Sequence, residues 1–145
     1  MKKLSILFLV MSTGCVSYAQ DIAQKDVPAV VVNAFQQKFP QQSVVEWELK
    51  RGLYEAEFEI KNMDHSVYLD STGKIVKHKQ EIAVSDLPSA VTASIQKNFS
   101  GYKVDDAKKI EVGNTVRYKV DVEKGAEERK VTFSADGKIE ENKMD

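Results

Sequence analysis

The chain has 145 residues, of which 42% are hydrophobic and 30% charged, with only 3 Pro and 7 Gly. This is the composition of a globular protein and excludes the disordered and fibrous classes. A net charge of −1 offers no basic excess, so neither nucleic acid nor an anionic membrane surface is expected as a partner.

Lys2 and Lys3 open the chain, and Leu4 to Met11 form an apolar run broken only by Ser5. Small and polar residues follow as far as Ser17-Tyr18-Ala19. The layout is that of a signal peptide over residues 1–19, and the run is less than half of the about twenty residues needed to span a bilayer. Ser17 and Ala19 suit the two small pockets of the signal peptidase and place cleavage before Gln20. The alternative is Ser12-Thr13-Gly14-Cys15, which resembles a lipoprotein box without its usual upstream Leu and would leave Cys15 as a lipidated first residue. Cleavage at Ala19 removes the only cysteine and two lysines, leaving 19 Lys and Arg against 22 Asp and Glu, a net of −3. The expectation is a secreted or periplasmic domain over residues 20–145, without thiol or disulfide chemistry and without membrane insertion.

That domain repeats itself. Asp26-Val27-Pro28-Ala29 recurs as Asp86-Leu87-Pro88-Ser89, and Val31, Phe35 and Phe39 recur as Val91, Ile95 and Phe99. Later, Tyr54 to Glu59 matches Tyr118 to Glu123, and Gly73-Lys74-Ile75 matches Gly137-Lys138-Ile139. The two repeats, 24–80 and 84–142, are each too short to bury a good core alone, so a shared core is expected.

In chain order, each repeat opens with a helix, with Asp26 or Asp86 as cap and Pro28 or Pro88 in the first turn. Its apolar stripe is Val27, Val30, Val31, Ala34, Phe35, Phe39 in the first copy and Leu87, Ala90, Val91, Ile95, Phe99 in the second. Pro40 and Gly101 end the helices. Alternating segments at 44–50, 53–60, 65–70 and 74–79 read as strands, and so do 104–112, 115–123, 128–134 and 138–142. Tyr54, Ala56, Phe58 and Ile60 share one face and Glu55, Glu57 and Glu59 the other. Asp70-Ser71-Thr72-Gly73 and Ser134-Ala135-Asp136-Gly137 fit tight turns, which forces antiparallel order. The predicted fold is α+β: a tandem duplication of an αββββ unit, with two helices on one face of a continuous antiparallel sheet.

With two copies of Asp-x-Pro, an apolar helix ending in Phe, and a Gly-Lys-Ile hairpin, the chain resembles the PepSY-like family of bacterial secreted proteins. That resemblance covers nearly all of 24–142 and implies the tandem-repeat layout of β-lactamase inhibitor proteins. It brings no catalytic or binding residue with it.

Catalytic motifs are absent: there is no Gly-x-Ser-x-Gly elbow, phosphate loop or dinucleotide fingerprint. His65 could be combined with Ser66 and Asp64 or Asp70 only by ignoring that adjacent strand residues face opposite ways, which makes a hydrolase a distant third reading. His65, His78 and Glu59 could meet across strands, yet no spaced ligand motif accompanies them. No cofactor and no metal are therefore expected.

The candidate binding residues lie on the side of the sheet away from the helices: Glu55, Glu57, Glu59 and Tyr68, with Arg117 and Lys119 in the second copy. Lys50, Lys74, Lys77 and Lys79 are placed to neutralise the acidic row. Trp47 alternates in phase with Val45 and Leu49 and belongs to the core; Tyr68 alternates against Val67 and Leu69 and should be an exposed ring, and Tyr102 should lie on a rim. Eight strands of about six residues give a face of roughly 770 Å², near the ~800 Å² per partner of a standard interface. The expectation is a secreted non-enzymatic binding module of the cell envelope, an inhibitor or regulator of another secreted protein, present as a monomer or weak homodimer. The alternative is a periplasmic small-ligand or cation carrier.

Overall fold

A computed structural model describes residues 19–145. Apart from Ala19, the expected signal segment and the alternative at Cys15 lie outside these residues. Nine strands form one antiparallel sheet in chain order: β1 (Gln20–Ile22), β2 (Glu46–Lys50), β3 (Leu53–Ile60), β4 (Met63–Leu69), β5 (Ile75–Glu81), β6 (Lys103–Val112), β7 (Thr115–Lys124), β8 (Glu127–Ser134) and β9 (Ile139–Met144). Helix α1 (Ala29–Lys38) lies between β1 and β2, and α2 (Ser89–Asn98) between β5 and β6. The ninth strand corrects the expected count. Gln20–Ile22 is too short to show a period, and it forms a strand because Ile22 pairs with Trp47 and packs against the first core.

The helix starts also differ from expectation. Asp26 and Asp86 sit in short 3-10 turns, one residue of extended chain intervenes, and Pro28 and Pro88 occupy the cap positions. No side chain caps either helix; instead the Pro28 carbonyl accepts from the amides of Val31 and Val32 at 2.9 and 3.1 Å. Of the expected stripe, Val27, Val31 and Phe35 are buried and Val30 is 50% exposed. Burial of each inward side chain contributes ~1.5–3 kcal/mol, which outweighs the few tenths lost per β-branched residue in the helix.

The helix-side residues of the strands alternate as read. Phe35 packs edge-on to Trp47 and Phe58, with ring centroids 5.5 and 5.2 Å away, over Ala56, Val67 and Leu69. Val91, Ile95 and Phe99 pack on Ala107, Val120, Val122, Val131 and Phe133. These are two separate cores, one per repeat, and not the single shared core expected. The reason lies in β5 and β6, whose helix-facing positions where the repeats meet are His78, Gln80, Lys109 and Glu111. What the copies share is the β5–β6 ladder, from His78↔Glu111 to Glu81↔Lys108.

Each repeat closes its last hairpin with a glycine pressed against its own helix. A Cβ on Gly137, at φ +86°, would stand 2.3 Å from the Ala90 carbonyl oxygen, and one on Gly73, at φ +87°, 2.8 Å from that of Val30. Gly113, at φ +58°, has nothing within 4 Å. Left-handed geometry costs a non-glycine residue about 1–2 kcal/mol, and displacing a packed helix adds about 1–3. Denaturant unfolding should therefore show Gly137→Ala losing about 2–5 kcal/mol and Gly113→Ala only the smaller, conformational part.

Candidate functional site: the open face of the sheet

Directly opposed residues share a face, so the register places Glu46, Glu48, Glu55, Glu57, Glu59, Tyr68, Lys77, Lys79, Arg117 and Lys119 together, away from both helices. All six sequence-predicted binding residues thus lie on one surface, which no described element covers. Their exposure is unequal. Glu57, Arg117 and Lys119 are half-buried and Glu59 is exposed, whereas Glu55 is 1% and Tyr68 9% exposed. Glu55 and Tyr68 oppose one another across β3 and β4 and form the floor of the face, correcting the expectation of an exposed ring. Trp47 is buried on the helix side, as its phase required, and Tyr102 packs edge-on to Phe99 beneath Lys124.

Glu55 is kept ionised by a neighbour that the β2–β3 hairpin delivers. Arg51 and Gly52 turn the chain with positive φ, so that Lys50 closes the ladder opposite Leu53 and its Nζ reaches Glu55 Oε2 at 2.6 Å and Glu48 at 3.3 Å. Burial pushes the Glu55 carboxyl up, but the bond from Lys50 and the neighbouring Tyr68 hydroxyl more than reverse this, and the net direction is down. Tyr68 is correspondingly raised, by burial and then by Glu55. Lys77 lies over the Tyr68 ring, 4.8 Å from its centroid. Of the four lysines expected to neutralise the acidic row, only Lys50 pairs with it directly, and Lys79 acts on Glu55 and Glu57 from a distance. Lys74 stands beside Asp70, whose carboxylate binds the Thr72 hydroxyl and amide in the turn. Lys77 and Lys79 lie beyond β4, opposite Tyr68 and Ser66.

Removing Lys50 strands a buried carboxylate. Because the Lys50 side chain is itself 38% exposed, Lys50→Ala should cost about 1–2 kcal/mol, less than a fully buried pair. The stabilisation from Glu55 is present above the ordinary carboxylate value of 4.5 and fades as pH falls through the lowered native one, so the variant should also lose part of the acid dependence of its unfolding midpoint.

The histidines lie on the other face. His65 Nδ1 and His78 Nε2 are 3.0 Å apart, with His65 stacked on Phe58 and His78 edge-on to Phe39. Glu111 stands 3.5 Å from His78 Nδ1. Ser66 and Glu59 belong to the open face, so neither the hydrolase set nor the His65–His78–Glu59 set assembles. No three metal-binding side chains converge among the described residues. Burial lowers both histidines, His65 lowers His78 further, and Glu111 opposes the shift on His78. Both therefore stay neutral at pH 7, one ring N–H donating to the other ring. Lowered native values mean that protonation favours the unfolded chain. Stability should fall as pH drops through 6.5 to the native values and then level for this pair, and the His65→Gln/His78→Gln variant should lack that component.

The sequence pattern of one family matches residues 15–77 and again 74–141, and that family is described as putative beta-lactamase-inhibitor-like, PepSY-like. The chain belongs to the PepSY-like family. Among solved structures, this PepSY-like chain is similar to a putative periplasmic protein from Bacteroides eggerthii (TM-score 0.75, 17% identity, 81% of this chain and 88% of that one). It is similar also to a DUF2874 family protein from Bacteroides uniformis (0.74, 20%, 81% and 88%). A BLIP-like protein from Bacteroides fragilis aligns with a TM-score of 0.68 at 22% identity, over 79% and 84% of the two chains. At these identities the likeness is one of fold. No curated protein matches the chain. No described helix is long and apolar enough to cross a membrane.

Proposed function

We propose that this PepSY-like chain is a secreted, non-enzymatic binding module of the cell envelope that inhibits or regulates another secreted protein through the open face of its sheet. The observation that carries this reading is a broad sheet surface with charged side chains, uncovered by any described element, on a fold that packs both of its apolar cores on the helix side. The beta-lactamase-inhibitor-like description of the family and the periplasmic and BLIP-like neighbours support it. A recess of about 710 Å³, in which Glu46, Glu57, Glu59, Asp64 and Glu81 outnumber Lys79 and Lys108, is what favours the second reading, a carrier of a small cationic ligand.

Retention of envelope proteins on the immobilised chain separates the two. A protein retained by the native chain should be lost with Glu57→Lys/Glu59→Lys and kept with helix-side changes at exposed Gln36 and Gln96. Loss through the helix-side changes instead would overturn the reading. If nothing is retained, and the melting temperature rises with a small polyamine but not in Glu57→Lys/Glu59→Lys, the carrier reading replaces it.

A further inference from the structure

The register arranges the open face in stripes of opposite charge. Read across the sheet from β2, one row runs Glu46, Glu57, Ser66, Lys79, Ile110, Arg117. Its neighbour on one side runs Glu59 and Asp64 on β3 and β4, then Glu81, Lys108 and Lys119 on β5 to β7. Its neighbour on the other side runs Glu48, Glu55, Tyr68, Lys77. In these three rows the acids precede the bases, while the next row, Asp106↔Asp121, is acidic again. Thus β2 and β3 carry an acidic band, and the basic band is confined to Lys77, Lys79, Lys108, Arg117 and Lys119 on β5 to β7.

The banding places like charges directly opposite one another: Glu46↔Glu57, Glu48↔Glu55, Glu59↔Asp64 and Lys108↔Lys119. Such pairs destabilise a sheet, and interleaving the same residues would have made them stabilising. Ion pairs leave most of the banding unrelieved. Lys50 serves Glu48 and Glu55, Lys108 serves Asp106, and Arg117 pairs with Glu140. Glu46, Glu57 and Glu59, and likewise Lys77, Lys79 and Lys119, have no ion-pair partner among the described residues. The bands attract each other only weakly, because two strand spacings are about 10 Å, one Debye length at 0.1 M salt; across that gap Lys79 lowers Glu55 and Glu57, and Glu55 raises Lys77. The crowding registers in the net direction of the groups themselves: burial and then Glu55 and Glu48 raise Glu57 against Lys50 and Lys79, while burial and then Lys79 lower Lys77 against Glu55.

The geometry points to a foreign protein partner of matched polarity, whose carboxylates lie over Lys77, Lys79, Lys108 and Lys119 and whose Lys or Arg side chains lie over Glu46, Glu57 and Glu59. This rests on the open face being the binding surface. The two bands then fix one docking orientation, since a half-turn about the face normal sets like on like. They also reject a uniform polyanion, whose charge would meet the acidic band.

A photo-crosslinking residue placed at Thr132, beside Lys119 on β8, or at Gln41, beside the acidic band, tests this in envelope extract, with Gln96 on α2 as control. The expected result is one protein captured at Thr132 and Gln41 and not at Gln96. Its crosslinked peptides should be rich in Asp and Glu at Thr132 and in Lys and Arg at Gln41. Lys119→Glu should lower the yield about tenfold or more while leaving the melting temperature of the free chain equal or higher, because it converts the Lys108↔Lys119 repulsion into an attraction. Capture on the face with peptides unsorted by charge, a yield unmoved by Lys119→Glu, or a second copy of the chain as the captured species overturns the inference and leaves the face as a binding surface. Capture at Gln96 alone, or at no position, overturns the face itself.

Discussion

Every strand of this protein must turn one row of side chains towards a helix and the other row away from it. That two-residue alternation, fixed by the helices pressing on Ala56, Val67, Ala107, Val120 and Val131, governs the rest of the structure. Once Phe35 and Ile95 are seated, no strand can slip by one residue without carrying its charged row into the core. The chemistry of the outer face is thus free to vary in sequence while its position is held. The two repeats use that freedom differently: Glu55, Glu57 and Glu59 in the first correspond to Lys119, Asp121 and Glu123 in the second.

The helix side of the repeat boundary is polar, and this separates the molecule into two packed units joined by hydrogen bonds. His65 and His78 fill that seam with rings that satisfy each other at the rim of the first core. Neutral imidazoles serve there because they bring aromatic surface against Phe39 and Phe58 without a charge to solvate. The price is a seam whose packing depends on pH.

The fold was largely legible in the sequence, because the duplicated stripes and alternating segments are long and each periodic signal was seen twice. Illegible were features that depend on which atoms meet in space. Gln20–Ile22 carries too few residues to show a period, and Asp26 looks like a helix cap until Pro28 takes that place. The single shared core followed from counting residues per repeat, and the polar residues at alternate positions, His78 and Gln80 on β5 and Lys109 and Glu111 on β6, could have warned against it. Of the candidate site, the face was legible and its depth was not. Alternation alone says that Glu55 and Tyr68 point outward, but neither Lys50 folding back from the hairpin nor Lys77 lying over the ring has a periodic signature. The charge bands were likewise hidden, since they emerge only when the register of neighbouring strands is known.

In this sheet the hydrogen-bonded neighbour of every strand is the next strand along the chain. A polypeptide emerging N-terminus first can therefore finish the first helix, its aromatic core and β5 before the second repeat exists. The edge of β5 then serves as a template on which β6 grows, and the second half is laid down on a surface already in place. Assembly by accretion of this kind requires no late segment to thread between early ones, and it lets a gene lengthen or double the sheet simply by copying the unit at its end.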